Sequence, residues 1–381
     1  MTRLVLVGGG LANGLLALEL LRSRPEVEFT VLESGPAAGG NHTWSFHEHD
    51  LSADGHALVA PLVSHRWSGQ DVRFPALTRT LSDGYFSIDS DRFARVLAER
   101  LGSRLRTSAK AVEVAPGHVV LEGGERLEAD AVIWAGGPRQ SPAANIRFQT
   151  FVGQELRFEK PHGLSRPIIM DATTPQDGGY RFTYVLPFGR DTALVEDTAY
   201  EDGGRIERTA LEGRIADYCR AQGWRPVEML RDEEGVLPIT LGGDIGKFWA
   251  DTKGVPTIGL GGGFFHPVTG YSLPDAVRVA GVVAGERDLS HRALHAALET
   301  YARKLWRDRS FLRALNRMLF LAGRPEDRWR VMQRFYGLPG GLIARFYAAR
   351  LTLPDQARLL AGKPPVPILG AMKAILSDGR A

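Results

Sequence analysis

Arg3-Leu4-Val5-Leu6-Val7-Gly8-Gly9-Gly10-Leu11-Ala12-Asn13-Gly14 is the stretch that decides the fold. Five residues of strand character run into three glycines, and apolar residues then recur at helical spacing from Leu11 to Leu21. A second strand-like run, Glu28 to Leu32, ends at Glu33. Strand, glycine turn, helix and strand fit within about 30 residues, the size of a nucleotide-binding βαβ unit. Gly8 and Gly10 are the first two glycines of a G-x-G-x-x-G pattern. The first permits the tight turn, and the second lets a pyrophosphate approach the backbone at a helix N-terminus. Asn13 stands at the third position with Gly14 beside it, so the fingerprint is imperfect. Gly8, Gly10, Leu11, Ala12, Asn13 and Gly14 are the expected pyrophosphate loop. Glu33 is placed to accept hydrogen bonds from a ribose hydroxyl pair. The competing reading is a glycine turn in an unrelated α/β domain, which the strand, helix and downstream carboxylate weigh against.

The 381 residues, 44% hydrophobic and 24% charged, suit an ordinary globular chain of two or three structural units. One cysteine, Cys219, excludes an intramolecular disulfide framework and a zinc ribbon. No run of about 18 apolar residues occurs, so no membrane-spanning helix is expected. Met1 to Val7 leads directly into a strand without a signal-peptide cleavage pattern, so a cytoplasmic location is expected. The net charge of +3 is unevenly spread. Arg287 to Ala381 holds 18 Lys+Arg against 7 Asp+Glu, which is +11, and Met1 to Glu286 carries −8. Such a tail suits either a solvated helical surface or attraction to an anionic surface.

Beyond the first βαβ unit, a helix is expected from Asp89 to Arg100, with Asp89, Ser90 and Asp91 as candidate caps. Ala129 to Gly137 reads as a buried strand entering a glycine turn. Residues 150 to 200 alternate strand-like runs with turns and read as an inserted antiparallel sheet. Pro256 to Gly263 returns to a glycine-rich strand and turn, and a helix from about Leu273 to Ala284 follows. The expected architecture is α/β: a Rossmann-type dinucleotide-binding domain with an inserted antiparallel-sheet substrate domain and a helical C-terminal region. The first domain is assigned discontinuously to residues 1–75, 90–145 and 250–287. The second takes 146–249 with part of 50–88, and the basic helical region takes 288–381, with breaks at 323–325, 337–341 and 362–367.

A broken nucleotide domain with a late glycine element favours FAD over NAD. That late element resembles the C-terminal FAD segment of flavoprotein hydroxylases at Gly261, Gly262, Gly263, His266, Pro267, Gly270 and Ser272. The acidic residue usual after the glycine is missing, since Gly262-Gly263 leads into Phe264, so backbone N–H groups are expected to serve instead.

Six ordered blocks then resemble the bacterial lycopene beta-cyclases of carotenoid synthesis. They are GGGLANGL (8–15), GGNHTWSF (39–46), FQTFVGQE (148–155), VEDTAY (195–200), EGVLP (234–238) and GGGFFHPVTGYSLPD (261–275). The resemblance implies an enzyme that closes the ψ-ends of lycopene into β-ionone rings, by way of γ-carotene to β-carotene. It implies reduced FAD in a redox-neutral reaction, NAD(P)H as the source of electrons, and lycopene and related C40 carotenoids as partners, with the acceptance of other acyclic carotenoids left open. The family's catalytic acid maps to Glu196. Gly40, Asn41 and His42, with Gly262, Gly263, His266, Pro267, Gly270 and Ser272, are the further cofactor-binding candidates.

Cyclisation requires a proton donor, and a carboxylic acid in an apolar pocket supplies one because desolvation raises its pKa. Glu196 and Asp197 follow the apolar run Ala193-Leu194-Val195. On a strand the two point to opposite faces, so one of them faces the substrate. Trp44, Phe46, Phe182, Tyr184, Phe264, Phe265 and Tyr271 are candidate wall residues that stabilise a cation. No metal site is expected, because no His/Asp/Glu cluster has ligand spacing. From Leu298 to Met318, aromatic and apolar residues interleave with Arg303, Lys304, Arg307, Arg309, Arg313 and Arg317, as in a helix lying on anionic lipid. Peripheral membrane attachment is therefore expected, and no nucleic-acid partner. Ordinary core packing of that segment stays open, as does the oligomeric state. A flavin hydroxylase or isoprenoid reductase, and a non-catalytic prenyl-binding escort, are the competing functions.

Overall fold

The computed structural model describes residues 2–176, 178–362 and 367–376. Leu4, Val5 and Leu6 are buried because the strand Arg3–Val7 lies inside a four-stranded parallel sheet. Its order is Ala131–Trp134, Arg3–Val7, Glu28–Leu32, Leu105–Arg106. Leu4 pairs with Phe29 on one side and Ala131 on the other. Both faces are covered, which is why the strand reads as an unbroken apolar run. Helices Leu11–Ser23 and Leu273–Gly285 share one core on the first face, built around Leu15, Leu16, Leu20, Val279, Ala280 and Val283. On the other face a small antiparallel sheet, 111–128, lays Val119 and Leu121 against Val5 and Val132. The expected helix at 89–100 runs from Ser90 to Leu101, and the Asp89 carboxylate accepts the Arg92 N–H at its N-terminus.

One segment differs from expectation. Pro256–Gly263 forms no strand: a single parallel bridge joins Thr257 to Trp134, and the chain turns at once through a short helical turn, Gly259–Gly262. Pro256 has no N–H to give a ladder, so only its carbonyl, accepting from Trp134, takes part.

The second unit is a seven-stranded sheet. Its order is Pro226–Gly243, Ala144–Phe158, Thr192–Glu201, Tyr180–Pro187, Ile168–Asp171, then the hairpin Gln70–Phe74 and Leu77–Leu81. Alternation divides its residues between two faces. Val152, Val185 and Val195 pack under helix Arg208–Ala221, while Phe182, Tyr184, Glu196 and Tyr200 turn the other way.

The C-terminal region is helical, as expected: His291–Asp308, Ser310–Leu321, Arg328–Tyr336, Gly340–Tyr347, Leu353–Leu360 and Ile368–Leu376. The expected break at 362–367 lies partly outside the described residues, as do 377–381. The region does not stand apart, because Leu312, Phe320, Met332, Tyr336 and Phe346 share a core with sheet residues Phe182 and Tyr200. The expected lipid-lying helix at 298–318 is two helices broken at Arg309. Arg309 is buried on Asp275, and Arg313 is buried over the Trp306 ring, so neither is free for headgroups. Leu298 and Leu312 are core residues for the same reason. No helix among the described residues is long and apolar enough to cross a membrane.

Candidate active site

Gly8 has φ +95°, and a Cβ there would lie 2.8 Å from the Ala135 carbonyl oxygen, so only glycine fits where the loop crosses the adjacent strand end. Gly39 N–H donates to the Gly9 carbonyl at 3.0 Å and ties the second glycine segment to the first. Gly10 begins helix Leu11–Ser23 without a side-chain cap, and the first turn holds no acidic residue. Gly8, Gly10, Leu11 and Ala12 line a cavity of about 540 Å³. An uncapped helix N-terminus at a cavity wall presents N–H groups suited to a phosphate anion. Glu33 stands beside it, accepting the Gly9 N–H (2.8 Å) and the Gly35 N–H (2.7 Å). Gly136, Gly137, Gly259, Gly270 and Ser272 line the same cavity. A Cβ on Gly10 would meet nothing within 4 Å, so the backbone there is open to a ligand. These residues fit a dinucleotide.

The cavity continues between the second sheet and the C-terminal helices. Trp44, Phe182, Tyr184, Tyr200 and Tyr271 wall this part, with Met332, Phe346 and Tyr347 from the helices. Their hydroxyls partly satisfy one another. Tyr184 donates to Ser45 Oγ at 2.9 Å, and its oxygen lies 2.9 Å from that of Tyr85, which is 3.4 Å from that of Tyr271. Burial raises the pKa of Tyr85, Tyr184 and Tyr271, so all three stay neutral.

Glu196 is the acid in this apolar end, 8% exposed. Burial, then the nearby Glu233, pushes its carboxyl up to about 8, against the opposing hydrogen bond from Thr198. Asp197 points to the other face of the sheet, bound by Arg181 at 2.6 Å with Arg214 at 3.7 Å. Across the sheet, Gly153 pairs with Glu196 on one side and Glu233 on the other. A Cβ at Gly153 would lie 3.2 Å from Glu233 Cγ and 3.5 Å from Glu196 Cβ. The glycine thus leaves room for two carboxyls on one face. Glu233 is buried, accepts a hydrogen bond from Thr43 at 2.9 Å and lies 3.4 Å from Arg231. Burial raises its pKa as well.

A family model described as lycopene cyclase protein matches residues 3–373. The chain belongs to the lycopene cyclase family. It is 50% identical to a lycopene beta-cyclase of Pseudescherichia vulneris over 377 residues, covering 99% of this chain and 98% of the relative. Identity to a lycopene beta-cyclase of Pantoea ananas is 48%, with the same coverage of both chains. Solved structures share the fold at far lower identity. A 2-methyl-3-hydroxypyridine-5-carboxylic acid oxygenase aligns with a TM-score of 0.58 at 15% identity, covering 96% of this chain and all of the other. A geranylgeranyl bacteriochlorophyll reductase-like protein of Thermoplasma acidophilum aligns at 0.56 and 12%, covering 99% and 97%. This lycopene cyclase family member therefore shares the fold of these oxygenase and reductase-like proteins.

Within this lycopene cyclase fold, Gly8, Gly10, Leu11, Ala12, Glu33, Gly40, His42, Glu196, Gly270 and Ser272 meet at the one cavity. The other sequence candidates stand behind it. Asn13 donates to the carbonyls of Val7 (2.9 Å) and Gly8 (3.0 Å), bracing the glycine loop from inside. Gly14 packs on Phe93 and Leu97, the close helix approach that the third fingerprint glycine usually provides. Asn41 is exposed and donates to the Asp232 carbonyl. Gly262 packs against Phe264, and Gly263 and Pro267 line a separate small cavity. His266 is buried. Its Nδ1 accepts the Val268 and Thr269 N–H groups, and its Nε2 lies 2.9 Å from the Phe346 carbonyl oxygen. Burial and Arg309 pull its pKa down to about 3, so it holds the turn as a neutral ring, and it lines neither of these two cavities. Of the expected wall residues, Phe46 and Phe264 are core and Phe265 lines the separate cavity. Glu233 and the helical residues Met332, Phe346 and Tyr347 were not legible. Only strand pairing across Gly153 and the folding back of the tail bring them in.

Proposed function

We propose that this protein is a lycopene beta-cyclase that closes the ψ-ends of lycopene to β-ionone rings without net oxidation, through γ-carotene to β-carotene. One observation carries the reading: a carboxyl whose burial favours its protonated form, Glu196, lies among aromatic rings in the same cavity as a dinucleotide loop. The relatives' names, lycopene beta-cyclase, agree with it.

The chemistry follows from the end group. Glu196 gives its proton to the less substituted carbon of the terminal double bond, leaving a tertiary cation. The neighbouring double bond attacks that carbon, a six-membered ring closes, and the charge moves to a ring carbon. Loss of a proton from the adjacent ring carbon leaves the ring double bond, so one proton enters, one leaves, and the product is an isomer. The ionised Glu196 is the base nearest to hand. Tyr184, Tyr271 and Phe182 offer ring faces to the cation, each contact being worth roughly 0.5–2 kcal/mol. Their walls exclude the water that would trap the cation as an alcohol. The loop Gly8–Ala12, with Glu33 and the wall at Gly270 and Ser272, would hold FAD. When bound and reduced, it supplies negative charge beside the cation, and NAD(P)H is the proposed electron source.

The test is anaerobic incubation of the purified protein with chemically reduced FAD and lycopene, followed by chromatography and mass spectrometry. Products of unchanged mass with one or two closed rings are expected. Unchanged lycopene from flavin-loaded protein would sink the reading, and a mass gain of oxygen or hydrogen would favour a hydroxylase or reductase. Glu196→Gln should keep flavin and lose turnover by about 10²–10⁴-fold.

A further inference from the structure

A second apolar cavity, of about 210 Å³, lies among helices Ser310–Leu321, Arg328–Tyr336, Leu353–Leu360 and Ile368–Leu376. Leu315, Met318, Leu359 and Ile375 are among its walls. It shares Val268, Met332 and Phe346 with the cavity that holds Glu196, so these residues line both. Its outer rim includes Leu360 and Met372, both exposed although apolar. On the same two helices, Leu353 is 79% exposed and Leu369 83%. Leu353 and Leu360 are seven residues apart, and Leu369 and Met372 three apart, so each pair occupies one helix face. Exposed large apolar residues on the helices that line a cavity mark an interaction surface.

The same two helices carry Arg358 and Lys373, exposed and in no ion pair among the described residues. Residues 317 to 376 hold ten Lys+Arg against three Asp+Glu. Exposed apolar side chains together with the exposed Arg358 and Lys373 on the same two helices match the acyl and anionic-headgroup layers of a bilayer surface. We infer that helices Leu353–Leu360 and Ile368–Leu376 dock the protein on an anionic lipid surface, and that the cavity behind them passes a polyene from the bilayer to the Glu196 site. The inference rests on the cyclase reading for the identity of the polyene, but docking itself does not need turnover. It also moves the lipid contact from 298–318, where Arg309 and Arg313 are buried, to the last two helices.

The experiment compares the full chain with a Leu353→Glu/Leu369→Glu double variant. Neither residue lines a cavity and both are exposed, so the fold should be unaffected. Co-sedimentation uses vesicles of phosphatidylcholine alone or with phosphatidylglycerol. Wild type should bind the anionic vesicles, bind the neutral ones weakly, and release at high salt. The double variant should bind at least about tenfold more weakly, or about 1.4 kcal/mol. Its turnover of lycopene dissolved in vesicles should fall in step, while turnover in detergent micelles stays within about twofold of wild type. Equal vesicle binding by the two proteins overturns the proposal. So does a self-association that the substitutions abolish in the absence of vesicle binding, which would make the face a contact between copies. Lack of cyclisation by wild type in micelles would instead sink the cyclase reading, leaving the vesicle comparison to decide docking.

Discussion

At the scale of single residues, the site depends on two carboxyls separated by a glycine. Glu196 was legible, because an acid after an apolar strand run invites a desolvated role and the VEDTAY block marked it. Its partner was not. The strands bearing Glu233 and Glu196 each pair with the strand of Gly153, and that register exists only in the folded sheet. The pairing has a consequence for pH. Two carboxyls near one another resist ionising together, so the charge of Glu233 helps keep the proton on Glu196. Wild-type cyclisation should fall as pH rises through about 8, where Glu196 loses its proton. Glu233→Gln removes the repulsion, so Glu196 ionises more readily and the alkaline limb should move to lower pH. Flavin content should stay unchanged. A pH–rate profile with an unmoved limb would show that Glu233 serves only as a packing residue, held by Thr43 and Arg231.

At the scale of elements, strand–glycine–helix periodicity was readable because each signal is local: apolar run, Gly8 turn, 3.6-residue spacing. The tail was readable as helices but not as to what they cover. Composition places basic and aromatic residues on one helix without saying which basic residue is buried. Arg309 settles that, joining helix Ser310–Leu321 to helix Leu273–Gly285 by a two-pronged pair with Asp275 at 2.6 and 2.7 Å. Burial pushes the Asp275 carboxyl up, but Arg309 and Arg278 more than offset this and hold it below the usual carboxylate range. Arg309→Met should therefore destabilise by about 3–5 kcal/mol, because it leaves a buried charge without its main partner. Asp275→Asn in the Arg309→Met background should cost less than the two single losses added, since the pair is then removed together. Urea unfolding of the four proteins gives the cycle, and simple additivity would mean that the pair does not anchor the tail.

At the scale of the whole molecule, the sheets and the tail hold the Glu196 carboxyl in a dry place, and stability should carry its mark. Unfolded, Glu196 titrates near the ordinary glutamate value of about 4.3. Folded, it keeps its proton up to about 8. Between those limits the native state binds more protons than the unfolded state, so the free energy of unfolding falls as pH rises. The contribution is fully present below the unfolded pKa and is lost as pH climbs through about 8. Asp50, raised to about 7 chiefly by burial, acts in the same direction and is common to both proteins compared here. Glu196→Gln never ionises and escapes its part of the loss. Its Tm relative to wild type should therefore rise steadily from pH 5 to pH 9, by several degrees. The same substitution that should lower turnover by about 10²–10⁴-fold should thus stabilise the alkaline protein, the trade-off expected where a site holds an unfavourable group for its chemistry. Thermal melts of both proteins at fixed flavin concentration across that range decide the matter. Parallel curves would mean that Glu196 is ordinarily solvated and is no proton reservoir for the polyene.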